Sequence, residues 1–261
     1  MATLENKNAI ITGAASGIGR ASALAFAQAG AKLVLADINP LDDVVAQIEE
    51  AGGQAVGISG DASDEGHVQE LVETCCQRYG GLHVFFANAG MAGDFFPILD
   101  ETRESWQRVL EVNLIGPFLA VKYGGAKIAE AGGGSIVLTA SVAALRAAAG
   151  PAAYSASKAG VVSLAQVAAS QLGDQGVRVN AICPGLIETG MTAPLFEYAK
   201  AAGREDRIGR YCPMQRAGQP EEIARVVLHL ASDDASYLTG QAIAIDGGLC
   251  ATHPFSPKSG S

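Results

Sequence analysis

Short apolar runs alternate with segments of helical length along almost the whole of this 261-residue chain. The pattern predicts strands over 8–11, 32–36, 54–59, 82–87, 135–139, 178–182 and 242–245, and helices over 17–29, 41–51, 65–79, 105–131, 152–172 and 220–231. A helix between successive strands carries the chain back along the sheet, so the strands it joins run parallel and are buried on both faces. The expected architecture is α/β, a doubly wound parallel sheet of about seven strands with helices on both faces. No Pro/Gly/Ser-rich linker divides the chain, and 1–250 reads as one domain. Two stretches break the rhythm. Residues 190–215 are longer than an ordinary connection and lie past the end of a strand, where ligand lids sit, and 251–261 read as a C-terminal tail.

Hydrophobic residues make up 49% of the chain and charged ones 17%, a profile that excludes disorder. The net charge of −9, with no Lys/Arg block, argues against a nucleic-acid partner. The N-terminus lacks the apolar core of a signal peptide, and no apolar run is long enough to span a bilayer. The five cysteines include no Cys-x-x-Cys pair, and adjacent Cys75 and Cys76 point to different sides of a helix, so free thiols are expected. Together these features point to a soluble protein of a reducing compartment, the cytoplasm. His67, His83, His229 and His253 have neither metal-ligand spacing nor the setting of a hydrolytic triad, and no metal is expected.

The first strand runs directly into Thr12-Gly13-Ala14-Ala15-Ser16-Gly17-Ile18-Gly19, which opens the first helix. Gly13 permits a tight turn, Gly17 lets backbone approach a pyrophosphate, and Gly19 allows close helix packing, while the helix N-terminus offers free N–H groups to an anion. By itself such a loop could also be a plain strand-to-helix turn. Asp37, at the end of the second strand, stands where the ribose acid of a dinucleotide site belongs, although it could instead cap the helix over 41–51. Its carboxylate would repel a 2′-phosphate, and neither Ser16 nor Ile38 supplies a cation to hold one, which favours NAD over NADP. A nucleotide-triphosphate P-loop is excluded because Arg20 follows Gly19.

Tyr-x-x-x-Lys occurs twice, as Tyr154/Lys158 and as Tyr123/Lys127, and helical spacing puts each pair on one face. Ser141 distinguishes the first pair: it ends the apolar strand over 135–139, whereas Leu110 holds the corresponding place before Tyr123. Ser141, Tyr154 and Lys158 can therefore meet at one polar point and move a proton to or from a carbonyl oxygen. A phenol titrates near 10, and about 3–4 kcal/mol from its surroundings would make it a base near neutrality. The Lys158 ammonium and a cationic nicotinamide ring are suited to supply it. Hydrolase chemistry fits poorly, since no Gly-x-Ser-x-Gly elbow is present.

The span from about Lys7 to Gly248 resembles the short-chain dehydrogenase/reductase family. The residues that carry the resemblance are the Gly13-x-x-x-Gly17-Ile18-Gly19 loop, Gly60-Asp61, Asn88-Ala89-Gly90, Asn113, Ser141, Tyr154-x-x-x-Lys158, Pro184-Gly185 and Asp246-Gly247-Gly248. The resemblance implies a single Rossmann domain that binds a nicotinamide dinucleotide. It implies that Asp61 and Ala62 flank the adenine, and that Asn88, Ala89 and Gly90 close over the adenosine side and steady the central strand. Pro184, Gly185, Ile187 and Thr189 would hold the nicotinamide end, with Tyr154 and Lys158 also reaching the cofactor. Asn113 would join Ser141, Tyr154 and Lys158 by holding a water of a proton relay. A departure is Ala87, where many members carry a second Asn, which puts one local hydrogen bond in doubt. The family also implies a homotetramer in which the helices over 105–131 and 152–172 meet across an interface, although their small residues would serve packing within the chain equally well.

For the substrate, the apolar candidates are Val142, Ala143 and Leu145 after the serine, Met91, Phe95 and Phe96 after the Asn-Ala-Gly turn, and Pro194, Leu195 and Phe196 in the lid. They suggest a secondary alcohol or ketone with a cyclic, aryl or aliphatic body. Two alternatives stand beside this: reduction of a 3-oxoacyl thioester, which Asp37 disfavours because those reductases usually use NADP, and a dinucleotide-binding protein without catalysis.

Overall fold

The computed structural model describes residues 3–252; the rest of the tail, His253 included, lies outside the described residues. Seven strands form one wholly parallel sheet: β1 (Asn8–Thr12), β2 (Lys32–Asp37), β3 (Gln54–Ser59), β4 (Val84–Ala87), β5 (Gly134–Thr139), β6 (Val177–Pro184) and β7 (Ala242–Ile245). Their order is β3-β2-β1-β4-β5-β6-β7. The chain steps outward from β1 to β3 and then returns to lay β4 against the other side of β1. Connections on the two sides of that switch diverge, and a crevice opens beyond the carboxyl ends of β1 and β4.

Central strands are apolar throughout, and adjacent residues serve opposite faces. Ile10, Phe85 and Ile136 join the core under α3 (Glu65–Tyr79) and α7 (Ala152–Leu172). Their neighbours Ile11, Phe86 and Val137 join the core under α1 (Gly17–Gln28), α2 (Asp42–Glu50) and α9 (Pro220–Ala231). Strand side chains alternate between faces, so an unbroken apolar run in sequence becomes two cores in space.

Helix ends follow local chemistry. Asp64 caps α3 by accepting from the His67 N–H at 2.7 Å, and Gly80 closes that helix in the left-handed region at φ 87°. Gln219 and Glu222 form a capping box at the start of α9.

Two segments depart from the sequence reading. The helix expected over 105–131 consists of α4 (Arg103–Leu110), α5 (Gly116–Leu119) and α6 (Gly125–Glu130), linked by π-helical turns at Glu111–Ile115 and Ala120–Gly124. Its small residues serve close approach within the chain: a Cβ on Gly124 would lie 2.6 Å from the Phe85 ring, and one on Gly116 2.9 Å from the Ala62 carbonyl. The expected lid carries a helix of its own, α8 (Ala193–Ala201). Cys75, Cys183 and Cys212 are buried free thiols, Cys76 is partly buried and Cys250 is exposed. Among the described residues no helix is long and apolar enough to cross a membrane.

Phe85 is fully buried between β4 and the Gly124 turn. Phe85→Ala is therefore expected to lower stability by about 3–5 kcal/mol in urea denaturation, and a loss well under 1 kcal/mol would contradict this packing.

Candidate active site

The crevice beyond β1 and β4 is a cleft of about 450 Å³. Its first wall is the glycine loop. Gly13 and Gly17 have φ of 67° and 52°, in the left-handed region that favours glycine. A Cβ on Gly19 would stand 1.9 Å from the Gly13 carbonyl oxygen, so the first turn of α1 can rest on the loop only because Gly19 has no side chain. Gly13, Ser16, Gly17 and Ile18 line the cleft, while Gly19 is buried beneath them. Ser16, at the N-cap of α1, makes no side-chain cap, which leaves the helix N-terminus open to an anion. This side-chain-free cradle fits a dinucleotide pyrophosphate.

Asp37 ends β2 and does not cap α2, whose N-cap residue is Leu41. Its carboxylate accepts from the Ala15 N–H at 3.0 Å and from the backbone and side chain of Asn39 at 2.9 and 3.0 Å. Asp37, Ile38, Asp61 and Ala62 line this end of the cleft, and the Asp61 carboxylate takes the Ser63 N–H at 2.8 Å and hydroxyl at 2.7 Å. Of the residues lining the cleft, the sole cation is Lys158. Its Nζ sits at the end of β5, three strand spacings or ~14 Å from β2.

The floor is built where β4 ends. Thr12 Oγ1 accepts from the backbone N–H groups of Asn88 and Ala89 at 3.0 and 3.1 Å. Asn88 Nδ2 donates to the carbonyls of Thr12 and Gly13 at 3.1 and 3.4 Å, and the Thr139 hydroxyl donates to Asn88 Oδ1 at 3.2 Å. Asn88 thus stitches β1, β4 and β5 together, with Gly90 beside it in the lining. Ala87, where a second Asn was noted as missing, is buried in the sheet.

Ser141 lies just past β5, and its Oγ caps the turn Val142–Ala144 by accepting from the Ala143 N–H at 3.1 Å. Tyr154 and Lys158 stand one turn apart in α7, and all three line the cleft. Lys158 is buried; its Nζ donates to the Thr139 carbonyl at 2.7 Å and lies 5.7 Å from the Tyr154 ring centre. Burial pushes its ammonium down to about 8. Burial also pushes the Tyr154 phenol up, against the pull of the Ser141 hydroxyl. The direction for the protein by itself is thus opposite to the lowered phenol expected from Lys158, because desolvation outweighs the neighbouring groups.

Asn113 sits in the first π-helical turn and is fully buried. Its Oδ1 accepts from the Met91 N–H at 2.8 Å, and its Nδ2 donates to the Met91 carbonyl at 2.9 Å and to Ser157 Oγ at 3.2 Å. Ser157 Oγ in turn donates to the Tyr154 carbonyl at 2.7 Å. The Asn113 carboxamide is therefore committed to the Met91 loop and to α7. The second pair separates as its setting suggested: Tyr123 donates to Glu65, and Lys127 pairs with Glu130 at 2.7 Å on the surface.

Pro184, Gly185, Ile187 and Thr189 line the wall that follows β6. Met191 and Thr192, which sequence reasoning did not single out, line it too; Thr192 Oγ1 accepts from the Thr189 N–H at 3.0 Å and donates to the Ile187 carbonyl at 2.6 Å. The Thr189-x-x-Thr192 spacing was a legible signal for this turn. The expected substrate residues mostly lie elsewhere. Val142 and Ala143 are buried in the tight turn after Ser141 and lie outside the lining. Leu195 is half exposed on α8 and also outside the lining, and Phe95 and Phe96 are exposed. Met91 does line the cleft, whereas Phe196 faces a neighbouring hollow beside Arg20 and Glu197.

Comparison with known proteins identifies the family and agrees with the fold. The family model described as Enoyl-(Acyl carrier protein) reductase matches residues 13–250. The chain is 42% identical over 248 residues to the 3-oxoacyl-(acyl-carrier-protein) reductase FabG of Thermotoga maritima, covering 94% of this chain and 98% of that protein. It is 40% identical over 244 residues to the cyclohexanol dehydrogenase of an Acinetobacter species, covering 93% and 94%. The crystal structure of levodione reductase matches with a TM-score of 0.91 at 35% identity, covering 96% of this chain and all of that one. A Beutenbergia cavernae structure holding NADP at low occupancy matches at 0.88 and 33% identity, covering 96% and 99%. The chain belongs to the short-chain dehydrogenase/reductase family of oxidoreductases, which use a nicotinamide dinucleotide.

Proposed function

We propose that this protein interconverts a secondary alcohol and a ketone with NAD(H), and that Ser141, Tyr154 and Lys158 carry the proton chemistry. The observation that carries the reading is the convergence of these three side chains in the cleft walled by the glycine loop. The Ser141 hydroxyl holds the substrate oxygen, Tyr154 Oη gives or takes its proton, and the Lys158 ammonium seats beside the phenol. Asn113 holds α7 and the Met91 loop in place around them. When bound, the nicotinamide ring donates or accepts the hydride and, in its oxidised form, brings a positive charge. Because burial pushes the Tyr154 phenol up, the phenolate needs that added charge. Asp37, Ile38, Asp61 and Ala62 take the adenosine half, and Asn88 to Gly90 with Pro184, Gly185, Ile187 and Thr189 enclose the rest.

An apolar, uncharged substrate is supported by the methionines that line the cleft, Met91 and Met191, and by the absence of any lining cation other than Lys158. Similarity to the cyclohexanol dehydrogenase is in keeping with this. The second reading, a 3-oxoacyl thioester reductase, is favoured by similarity to the Thermotoga maritima enzyme. NADH absorbance followed across cyclic, aryl and aliphatic alcohols and ketones and a 3-oxoacyl thioester separates the two, and turnover of any of them excludes a binding protein without catalysis. We also infer one domain over 1–250 with a lid at 190–215, in a cytoplasmic homotetramer. The tetramer is supported by the partly exposed Ile115, Phe118 and Val167 on the helices proposed to meet, and sedimentation would test it.

Tyr154→Phe should lower turnover roughly a thousandfold while NADH still binds; retained turnover would mean that another group moves the proton. NAD should be preferred over NADP by at least about tenfold in kcat/KM, about 1.4 kcal/mol, and equal values would remove Asp37 as the discriminator. Ketone reduction needs the protonated phenol and the ammonium. Since burial lowers Lys158 to about 8, the ammonium is lost as pH rises through that value. Reduction should therefore fall above pH about 8; reduction that rises over the same range would contradict this assignment.

A further inference from the structure

Thr139 closes β5 and reaches two halves of the cleft with two different atoms. Its carbonyl accepts the Lys158 ammonium at 2.7 Å, and its hydroxyl donates to Asn88 Oδ1 at 3.2 Å. Asn88 Nδ2 continues to the carbonyls of Thr12 at 3.1 Å and Gly13 at 3.4 Å. Those two acceptors fix which way the carboxamide faces, since turning it over would set its oxygen against two carbonyl oxygens. The Thr139 hydroxyl is then the donor in its pair, and among the described residues it is the hydrogen-bond donor found for Asn88 Oδ1. Gly13 presses on the same amide: a Cβ there would stand 2.9 Å from Asn88 Nδ2. A continuous line of contacts therefore runs from Lys158 through Thr139 and Asn88 to the turn of the glycine loop.

We propose that the Thr139 hydroxyl is a positioning group for the dinucleotide: it locks the Asn88 carboxamide, which in turn holds the Gly13 turn in the shape that receives the pyrophosphate. This rests on the dinucleotide reading of the cleft. The two atoms of Thr139 make the roles separable. Valine has nearly the same shape and keeps the carbonyl that seats Lys158, but it leaves Asn88 Oδ1 without its donor. A part-buried acceptor so orphaned favours other orientations of the amide, and the loop must then be ordered again each time the cofactor binds.

The test measures NADH dissociation constants by fluorescence, together with the pH dependence of turnover, for the wild type, Thr139→Val, Thr139→Ser and Thr139→Cys. Thr139→Val should raise the NADH Kd about tenfold, Thr139→Ser should stay within about twofold of wild type, and the weaker thiol donor of Thr139→Cys should fall between them. The pH at which ketone reduction declines should not move, because the Thr139 carbonyl is unchanged. A wild-type Kd in Thr139→Val would overturn the proposal. So would an equal loss in Thr139→Ser, or a Kd change accompanied by a shifted pH profile, since either would mean that Thr139 acts by packing β5. If Thr139→Val does not fold, the ordering of Ser and Cys alone decides. A wild type that binds neither NADH nor NADPH would overturn the dinucleotide reading and this proposal with it, whereas the other adverse outcomes overturn this proposal alone.

Discussion

The structure depends on how closely the first turn of α1 lies against the Gly13 carbonyl, a contact with no room for even one carbon on Gly19. That approach lets the chain leave β1 and enter a helix within a few residues, aiming the helix N-terminus back over the strand end. It also brings the Ala15 N–H within reach of the Asp37 carboxylate and the Gly13 carbonyl within reach of Asn88. The ends of β1, β2 and β4 are thereby tied to one loop. The cleft exists at this place because the strand order reverses between β1 and β4, and it keeps its shape because the glycine loop leaves it unfilled.

At the other end the cleft is governed by desolvation. Lys158 is almost wholly removed from water and is held by one carbonyl, while Tyr154 is covered enough for its phenol to resist ionisation. Both groups are thus displaced toward their neutral forms, the ammonium downward and the phenol upward. Such a pair is poised for a further positive charge, because one added cation close to the phenol acts in a medium that screens it weakly. The surrounding hydrogen bonds of Asn113 and Ser157 hold backbone and helix, so the ionising groups need not do so themselves.

Much of this was legible because it obeys local rules. Alternation of apolar runs located the strands of the sheet, and the helices Glu65–Tyr79, Ala152–Leu172 and Pro220–Ala231 fall where periodicity put them. The choice of Tyr154 over Tyr123 rested on Ser141 at a strand end, and the two tyrosines have different surroundings accordingly. The substrate residues were less legible. Val142 and Ala143 follow Ser141 directly in sequence, but they are buried in the turn there. Met191 and Thr192 enter the lining through a turn that hydrogen bonds of Thr192 close.

The sequence by itself determined the parallel α/β layering, the glycine cradle, Asp37 at the end of β2 and the Ser-Tyr-Lys set, because each depends on residue type at short spacing. Tertiary structure decided the rest. The π-helical turn that carries Asn113, the inward commitment of its carboxamide, the place of Thr139 between Lys158 and Asn88, and the opposed shifts of lysine and phenol all arise from contacts between elements distant in the chain. Burial and hydrogen-bond partners are properties of the packed ensemble of elements, and a one-dimensional pattern specifies them only through the fold it produces.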